Sequence, residues 1–500
     1  MTTGLALFAF LLTLILVSIG PIGDWRLSRS APLDDDDLPW AAVGYGSAAV
    51  SLNCLFGAYA AALLLVGLAC FAGVVAGVVA ALFTINWRLA QVSPRTGFQT
   101  LLREMRFSDS LLVDHLLWLL LVFCQLGLAL SELILLTHML ATGLQLPRHQ
   151  AIVGALAVAC VGYYYCLFGG YRAVFRTDLL QFILILLMGA SMLFVAIRLG
   201  IADGFDMSAL RDLGRHSFLV DHPLLRTCLE WVAGLALGSM PVLAAPDAWK
   251  RVLIVRRRAS GTTANGSQAP PEMISARLRA WIKSLLANAP IKLTLAASLP
   301  LLLIAPLLLI IASAGKARDW TFPLETIFAL SPDKLDPLIA LGMVAAFLST
   351  FDGALISAVH LLLLQRAFKS PLIDQELHRF RVLLGLAFSV VILLLVPLFS
   401  NLPNPYALGA CLVSPFGLAA GILLGSGFGR RVLRGKAVAY FGTISLAAWT
   451  FFCVSLASDP GASENPYRTA PLVIIGCLVF LLSGSLSRIY SRRVLPEAHQ

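Results

Sequence analysis

The feature that most constrains this chain is a series of apolar segments, each about 20 residues long, that recurs along its whole length. A helix needs about 20 apolar residues to cross a bilayer. Charged residues make up only 13% of the chain, against about 25% in soluble domains. We therefore predict an all-α, polytopic membrane protein. Its thirteen spans, or twelve if the second and third are one, are placed at residues 4–22, 41–67, 69–90, 115–141, 150–168, 177–198, 225–246, 291–314, 338–365, 381–400, 405–427, 436–457 and 470–487.

The basic residues give these spans a direction across the bilayer. Of the 37 lysines and arginines, 28 lie in alternate connections, beginning with residues 23–40 and ending with the C-terminal tail. Cytoplasmic segments of membrane proteins carry an excess of such residues. We therefore predict an external N-terminus, a cytoplasmic C-terminus and an odd number of spans. The basic residues form no long stripe with interleaved aromatics, so nucleic-acid binding is not expected.

The pattern predicts one transmembrane domain, residues 1–500. The first span is expected to be a retained helix rather than a signal peptide, because Arg26 and Arg29 follow it and no positive side chain precedes it. Residues 259–273 are small and polar, which predicts a flexible cytoplasmic loop. The nine cysteines lie in or beside apolar segments without a CxxC pair, so free thiols are expected and a zinc site is not. No nucleophile–base pair or HExxH motif indicates an enzyme, and no resident cofactor is expected.

The ninth span carries polar residues at helical spacing. Ala346, Ser349 and Thr350 stand at positions i, i+3 and i+4, and so share one face of the helix. Two hydroxyls beside a small residue suit an alkali cation if a partly unwound neighbouring helix supplies carbonyl oxygens. The alternative is a packing face on which the hydroxyls bond back to their own helix. Spacing alone leaves both interpretations open.

Three acids fall within or at the edge of predicted spans. Intramembrane acids are candidates for function because burying their charge in hydrocarbon is costly. Asp352 follows the hydroxyl pair, and Glu132 lies in the fourth span, where a functional and a structural role are both open. Glu230 heads the seventh span and is expected to reach the external interface. His360, followed by four leucines, is expected to be a packing residue.

The seventh span contains residues that weaken a helix. Gly234, Gly238 and Ser239 precede Pro241, which removes a helical hydrogen bond. A broken helix is one interpretation, since discontinuous helices form the midplane sites of many transporters. A simple proline kink is the other.

One segment, residues 165–182, resembles the signature of the sodium:solute symporter family, which includes the sodium/proline, sodium/glucose and sodium/iodide carriers. The resemblance lies in paired glycines, a small residue with Val, a Thr-Asp pair and a Gln three residues later. In this sequence these are Gly169, Gly170, Ala173, Val174, Thr177, Asp178 and Gln181. The run Asp247-x-Trp249-x-Arg251 is similar to the end of the family's seventh helix.

The resemblance implies an inverted five-plus-five helix repeat. Residues 41–198 would form the first repeat and residues 225–427 the second, with residues 1–22 and 436–487 as peripheral helices. It also implies a sodium site made of Ala346, Ser349 and Thr350 with backbone carbonyls of Ser47 and Val50, and an ion exit path at Asp178. Candidate solute contacts, chosen by helix and depth, are Asn53, Gln125, Trp231, Ser239 and Met240.

The family resemblance implies sodium-coupled symport of a small organic solute by alternating access, with Na⁺ as the coupling ion. The partners would be the solute, Na⁺ and membrane lipid, and the location a bacterial inner membrane or a plasma membrane. One alternative is a proton-coupled or uncoupled transporter of the same fold, in which Asp352 and Glu132 form a proton relay. Another is a membrane sensor that binds a ligand and transports nothing.

Overall fold

The computed structural model of this chain describes residues 8–9, 11–15, 68–89, 105–142, 144–205, 222–250, 252–253, 335–367, 374–400, 412, 415–426, 432–458 and 486. These residues are almost entirely helical, which confirms the all-α class. Six helical segments among them are long and apolar enough to cross a bilayer. The predicted spans 41–67 and 291–314, and most of 4–22 and 470–487, lie outside the described residues. The count of thirteen spans and the inverted repeat therefore stay predictions.

Several helices of the described part agree closely with predicted spans, whereas the helix Asp374–Ser400 begins seven residues before the predicted 381. Long apolar runs become helices in lipid because no water is available to hydrogen-bond the backbone. Predicted spans 69–90 and 436–457, for example, correspond to helices that begin and end within one residue of those bounds. In chain order the helices are α1 (Leu68–Leu89), α2 (Leu111–Thr142), α3 (Arg148–Asp203), α4 (Pro223–Ala244), α5 (Asp336–Ala367), α6 (Asp374–Ser400), α7 (Phe416–Gly425) and α8 (Gly435–Ser458).

Helix α3 contains two predicted spans, 150–168 and 177–198, in one helical segment of 56 residues. In a straight helix, Tyr165 and Gln181 would be about 24 Å apart along the axis. The Gln181 Nε2 atom nevertheless donates a hydrogen bond to the Tyr165 hydroxyl oxygen over 3.2 Å. The helix axis therefore turns sharply between these two residues, and its two apolar arms, Arg148–Cys166 and Leu180–Ala202, form separate candidate spans.

Helix α5 lies between the two arms of α3. Gly162 on the first arm approaches the side chains of Leu348 and Phe351 on α5. Gly342 of α5 approaches Met188 on the second arm. Nearly every residue in the apolar part of α5 is buried, including Ser349, Asp352 and Ser357. The polar side chains of this helix therefore face other protein segments rather than lipid.

Helices α1 and α4 pack backbone against backbone. A Cβ atom on Gly234 would overlap the carbonyl oxygen of Cys70, and one on Gly238 would overlap that of Val74. Gly77 of α1 meets α4 in the same way, at the carbonyl oxygen of Leu235. The paired positions advance by four residues on both helices together, so α1 and α4 run parallel. Closely packed glycines are typical of helix contacts in membranes, because small residues let two backbones approach.

A short clasp, formed by residues 107–109 and 433–435, joins the beginnings of α2 and α8. The Asp109 amide donates to the Leu433 carbonyl over 3.1 Å, and the Leu433 amide donates to the Phe107 carbonyl over 2.9 Å. The Asp109 carboxylate accepts a hydrogen bond of 2.6 Å from the Gly435 amide at the start of α8. Both helices therefore begin on the same side of the molecule.

Candidate functional site

The predicted ion ligands of α5 lie in the protein interior. Ala346 and Thr350 are each 3% exposed, and Ser349 is fully buried. The Thr350 hydroxyl donates to the carbonyl oxygen of Ala346 over 3.3 Å, one turn back along its own helix. Ser47 and Val50, which were predicted to complete the site, lie outside the described residues, as does the solute candidate Asn53.

Ser349 contacts the acid that the family signature contains. Its hydroxyl donates a hydrogen bond of 3.0 Å to the Oδ1 atom of Asp178, and both side chains are fully buried. Asp178 lies 171 positions earlier in the chain, where α3 turns. Two residues to which the family resemblance gives separate roles, ion ligand and exit path, are therefore in direct contact.

Asp352 lies at the centre of a second buried hydrogen-bond network. Its Oδ2 atom accepts a hydrogen bond from the Tyr165 hydroxyl and another, of 3.4 Å, from the Gln181 Nε2 atom. All three side chains are fully buried, and they come from α5 and from both arms of α3. Because a buried polar group is costly unless it is hydrogen-bonded, this network stabilises the turn of α3 against α5.

Sequence reasoning did not identify Tyr165 as a member of this site and noted Gln181 only as part of a motif. One signal was available for the tyrosine. A phenolic hydroxyl inside an apolar span needs a hydrogen-bond partner, which makes Tyr165 a candidate for a polar contact. Its partner, Asp352, lies 187 positions away and follows from the tertiary structure alone.

Helix α4 breaks at Ala245, four residues after Pro241. The helix continues through Pro241, and Ala245 adopts an extended conformation with φ −93° and ψ 109°. A second helical stretch, residues 246–250, then begins with Pro246, a residue favoured at the first helical position because it lacks an amide donor. Of the two interpretations of this span, the broken helix is therefore the one observed, with its break later than expected.

Gln125 of α2 contacts this break. Its Nε2 atom donates a hydrogen bond of 3.1 Å to the carbonyl oxygen of Ala244, the last residue of α4. The final carbonyl groups of a helix have no partner within it, so Gln125 satisfies one of them from a neighbouring helix. The structure thus brings a predicted solute contact to the discontinuity of α4.

The other predicted solute contacts on α4 have different surroundings. Met240 is 2% exposed. The Ser239 hydroxyl donates to the carbonyl oxygen of Ala236 over 3.1 Å within the helix. The Trp231 side chain is 42% exposed, while its carbonyl oxygen faces Gly73 of α1. As solute contacts, these residues stay predictions.

Further polar residues follow the break. Asp247, Trp249 and Lys250 are at most 5% exposed. The Asp247 Oδ2 atom would lie 3.7 Å from a Cβ atom on Gly353 of α5, so the break of α4 also lies beside α5. Because Gly353 follows Asp352, the two discontinuous regions, the turn of α3 and the break of α4, meet at the same part of α5.

Two further polar residues of the spans, Glu230 and His360, contact partners on their own helices. Glu230 accepts a hydrogen bond of 2.9 Å from Arg226, with which it forms an ion pair near the start of α4. The His360 Nδ1 atom lies 2.9 Å from the carbonyl oxygen of Ile356 one turn earlier, as expected of a packing residue. Glu132 is 5% exposed. Among the described residues, no group of three His, Cys, Asp or Glu side chains is placed to hold a metal ion.

Comparison with known proteins identifies the fold. No protein-family model and no curated protein matches the chain. The structure is similar to the substrate-bound, outward-open state of a Na⁺-coupled sialic acid symporter, with a TM-score of 0.62 and 16% sequence identity over 98% of each chain. A manganese transporter of Eremococcus coleocola gives a TM-score of 0.49 and 12% identity over 91% of this chain and 94% of its own. The fold assignment rests on the first of these.

The chain is therefore a helical integral membrane protein. Its fold is similar to that of the sialic acid symporter.

Proposed function

We propose that this protein is a secondary transporter that couples the movement of a small organic solute to Na⁺ by alternating access. The observation that carries the proposal is the buried contact between Ser349 and Asp178, next to Ala346 and Thr350 on the same helix. The likeness in fold to a Na⁺-coupled symporter supports it. No feature of the described residues favours an enzyme.

The chemistry of this contact suits an alkali ion. A hydroxyl has one proton to donate and two lone pairs with which to accept. Because the Ser349 hydroxyl donates its proton to Asp178, it would present oxygen rather than hydrogen to a cation. The Thr350 hydroxyl and the Ala346 carbonyl add further hard oxygens, and Asp178 supplies a negative charge that offsets that of the ion.

We assign Na⁺ to Ala346, Ser349 and Thr350, with carbonyl oxygens of Ser47 and Val50 as the remaining ligands. Asp178 receives the ion on its way to the cytoplasm. The solute binds near Gln125 and the break of α4, where a helix end leaves backbone groups available for binding. An ion and a solute that both bind the same conformational state more tightly each shift the population toward that state. Binding of the ion therefore favours binding of the solute.

The test is a thermal-unfolding screen of the purified protein against small metabolites, performed in sodium and again in potassium buffer. A ligand that binds only the folded state raises the unfolding temperature. We expect a solute whose stabilising effect requires sodium. The same solute should then enter proteoliposomes faster with an inward sodium gradient than with an inward potassium gradient.

Two outcomes contradict the proposal in different ways. Equal stabilisation and equal uptake in the two salts eliminate sodium coupling and favour the proton-coupled or uncoupled alternative. A ligand that stabilises the protein in sodium but never enters proteoliposomes eliminates transport and favours the sensor.

A further inference from the structure

Glu132 faces the interior of the protein from the apolar part of α2. Its side chain is 5% exposed, and Ala129 and Leu136, which lie on the same face one turn away on either side, are fully buried. Gln125 lies two turns earlier on this face, about 10 Å along the axis, and is 1% exposed. The face of α2 that carries Glu132 is therefore the one from which Gln125 reaches the break of α4.

The Glu132 carboxylate has no protein partner among the described residues. The hydrogen bonds and ion pairs found there do not include it, whereas the comparable Glu230 is bound by Arg226 over 2.9 Å. An acid inside a membrane span is costly unless a counter-charge accompanies it. A positively charged group that binds beside Glu132 would supply this counter-charge.

Two acceptors mark the ends of this region, the Glu132 carboxylate and the carbonyl oxygen of Ala244 at the break of α4. The negative end of the α4 dipole terminates at Ala244, whose carbonyl oxygen Gln125 contacts. An anion would be repelled by Glu132 and by this helix end. A transition-metal ion would need several carboxylate, imidazole or thiolate ligands, and no group of three such side chains is present among the described residues. A positively charged nitrogen group, which brings both charge and hydrogen-bond donors, fits best.

We propose that Glu132 recognises the charge of the transported solute, which is a small organic cation bearing an ammonium or guanidinium group. The cation binds between Glu132 and the break of α4, with its charged nitrogen at the carboxylate. This assignment rests on the proposed transport function, because it places the solute of that function. Binding itself, however, is measured without transport.

The experiment measures ligand-induced thermal shifts of the purified protein in sodium buffer. The probes are choline, ethanolamine, putrescine and agmatine, with dimethylbutanol as the uncharged isostere of choline and acetate and glucose as anionic and neutral solutes. We expect at least one cation to raise the unfolding temperature, while dimethylbutanol, acetate and glucose do not. The dissociation constant of that cation should rise at least about tenfold in Glu132→Gln, because the charge of the pair is lost.

Two further variants separate recognition from folding. Glu132→Asp keeps the charge on a shorter side chain and should retain a preference for the cation with weaker binding. Glu230→Gln makes the same change at a buried glutamate that already has a protein partner, and should leave the shift caused by the cation unchanged. The sodium-induced shift without any solute reports separately on the ion site.

The outcomes are distinct. The proposal is overturned if none of the four cations stabilises the protein, if a neutral or anionic probe does so equally well, or if the cation binds Glu132→Gln as tightly as the unmodified protein. A cation that binds through Glu132 but never enters proteoliposomes upholds the assigned site and contradicts transport. Loss of sodium dependence alone contradicts the coupling ion and leaves the Glu132 assignment intact.

Discussion

Ser349 and Thr350 are neighbours on α5, but their hydroxyls donate to different parts of the protein. Thr350 bonds back to Ala346 in its own helix, the arrangement expected of a hydroxyl with only a packing role. Ser349 instead donates to Asp178 on α3. Thr350 therefore fits the packing interpretation, and Ser349 fits the ion-site interpretation. The ion-site hypothesis depends mainly on Ser349.

Replacing Ser349 by alanine tests the ion site directly. The variant removes a proposed Na⁺ ligand and a buried donor to Asp178. We expect the stabilisation by saturating sodium to fall by about 1.4 kcal/mol for each tenfold loss of affinity. Stability in potassium should fall by about 1–3 kcal/mol because a buried acceptor loses its donor. Both quantities come from thermal unfolding at matched ionic strength.

A matched control is Ser389→Ala. The Ser389 hydroxyl is buried and donates to the carbonyl oxygen of Gly385 on its own helix over 2.8 Å. This variant should keep the full sodium response. An unchanged sodium response in Ser349→Ala would remove Ser349 from the ion site.

At the scale of helices, the glycines of α4 have a different role from the one that the sequence suggested. Gly234 and Gly238 were expected to weaken the helix before Pro241. In the structure they lie inside a continuous helix and contact the backbone of α1. The break occurs later, at Ala245, where Pro246 begins the next helical stretch. The glycines thus fix a helix pair, while the chain discontinuity lies beyond them.

Adding a methyl group to this contact should separate the two helices. In Gly238→Ala, the new Cβ atom would overlap the carbonyl oxygen of Val74 on α1. Because backbone atoms cannot move aside as a flexible side chain can, we expect a loss of about 1–3 kcal/mol or more in stability. Thermal unfolding of the detergent-purified protein measures this loss.

The control for this prediction is Gly442→Ala on α8, where a Cβ atom would meet no atom within 4 Å. That variant should be neutral or slightly stabilising, since alanine favours a helix by about 1 kcal/mol over glycine. Equal effects of the two substitutions would show that Gly238 is not in close contact with α1.

At the scale of the whole molecule, the contacts agree with alternating helix directions. The parallel helices α1 and α4 correspond to the predicted third and seventh spans. Because successive spans alternate in direction, the third and seventh are expected to run parallel. The clasp of residues 107–109 and 433–435 brings together the starts of the predicted fourth and twelfth spans. Both relations are those that alternating spans predict.

Cysteine labelling tests the orientation. His222 immediately precedes α4, Lys436 lies at the start of α8, and both are exposed. In intact cells, a membrane-impermeant maleimide should label His222→Cys, whereas Lys436→Cys should be labelled only after permeabilisation. The unmodified chain, which has nine cysteines, provides the background. Labelling of both positions from the same side would contradict an odd number of crossings between them, and the reverse pattern would invert the orientation.

The sequence alone determined the properties that are local to a segment. Length and apolarity predict helices such as α1 and α8 to within one residue, because the membrane requires each segment to satisfy its own backbone hydrogen bonds. The positions of the acids and hydroxyls within these helices follow equally from the sequence. These features depend on no other part of the chain.

Which helices are neighbours was decided only by the tertiary structure. The contacts of Ser349 with Asp178 and of Asp352 with Tyr165 join residues 171 and 187 positions apart. Apolar helices in lipid have little hydrophobic preference for one neighbour over another, since the surrounding chains are equally apolar. Their partners are selected by close packing and by a few buried polar contacts, and these exist only once the helices are assembled.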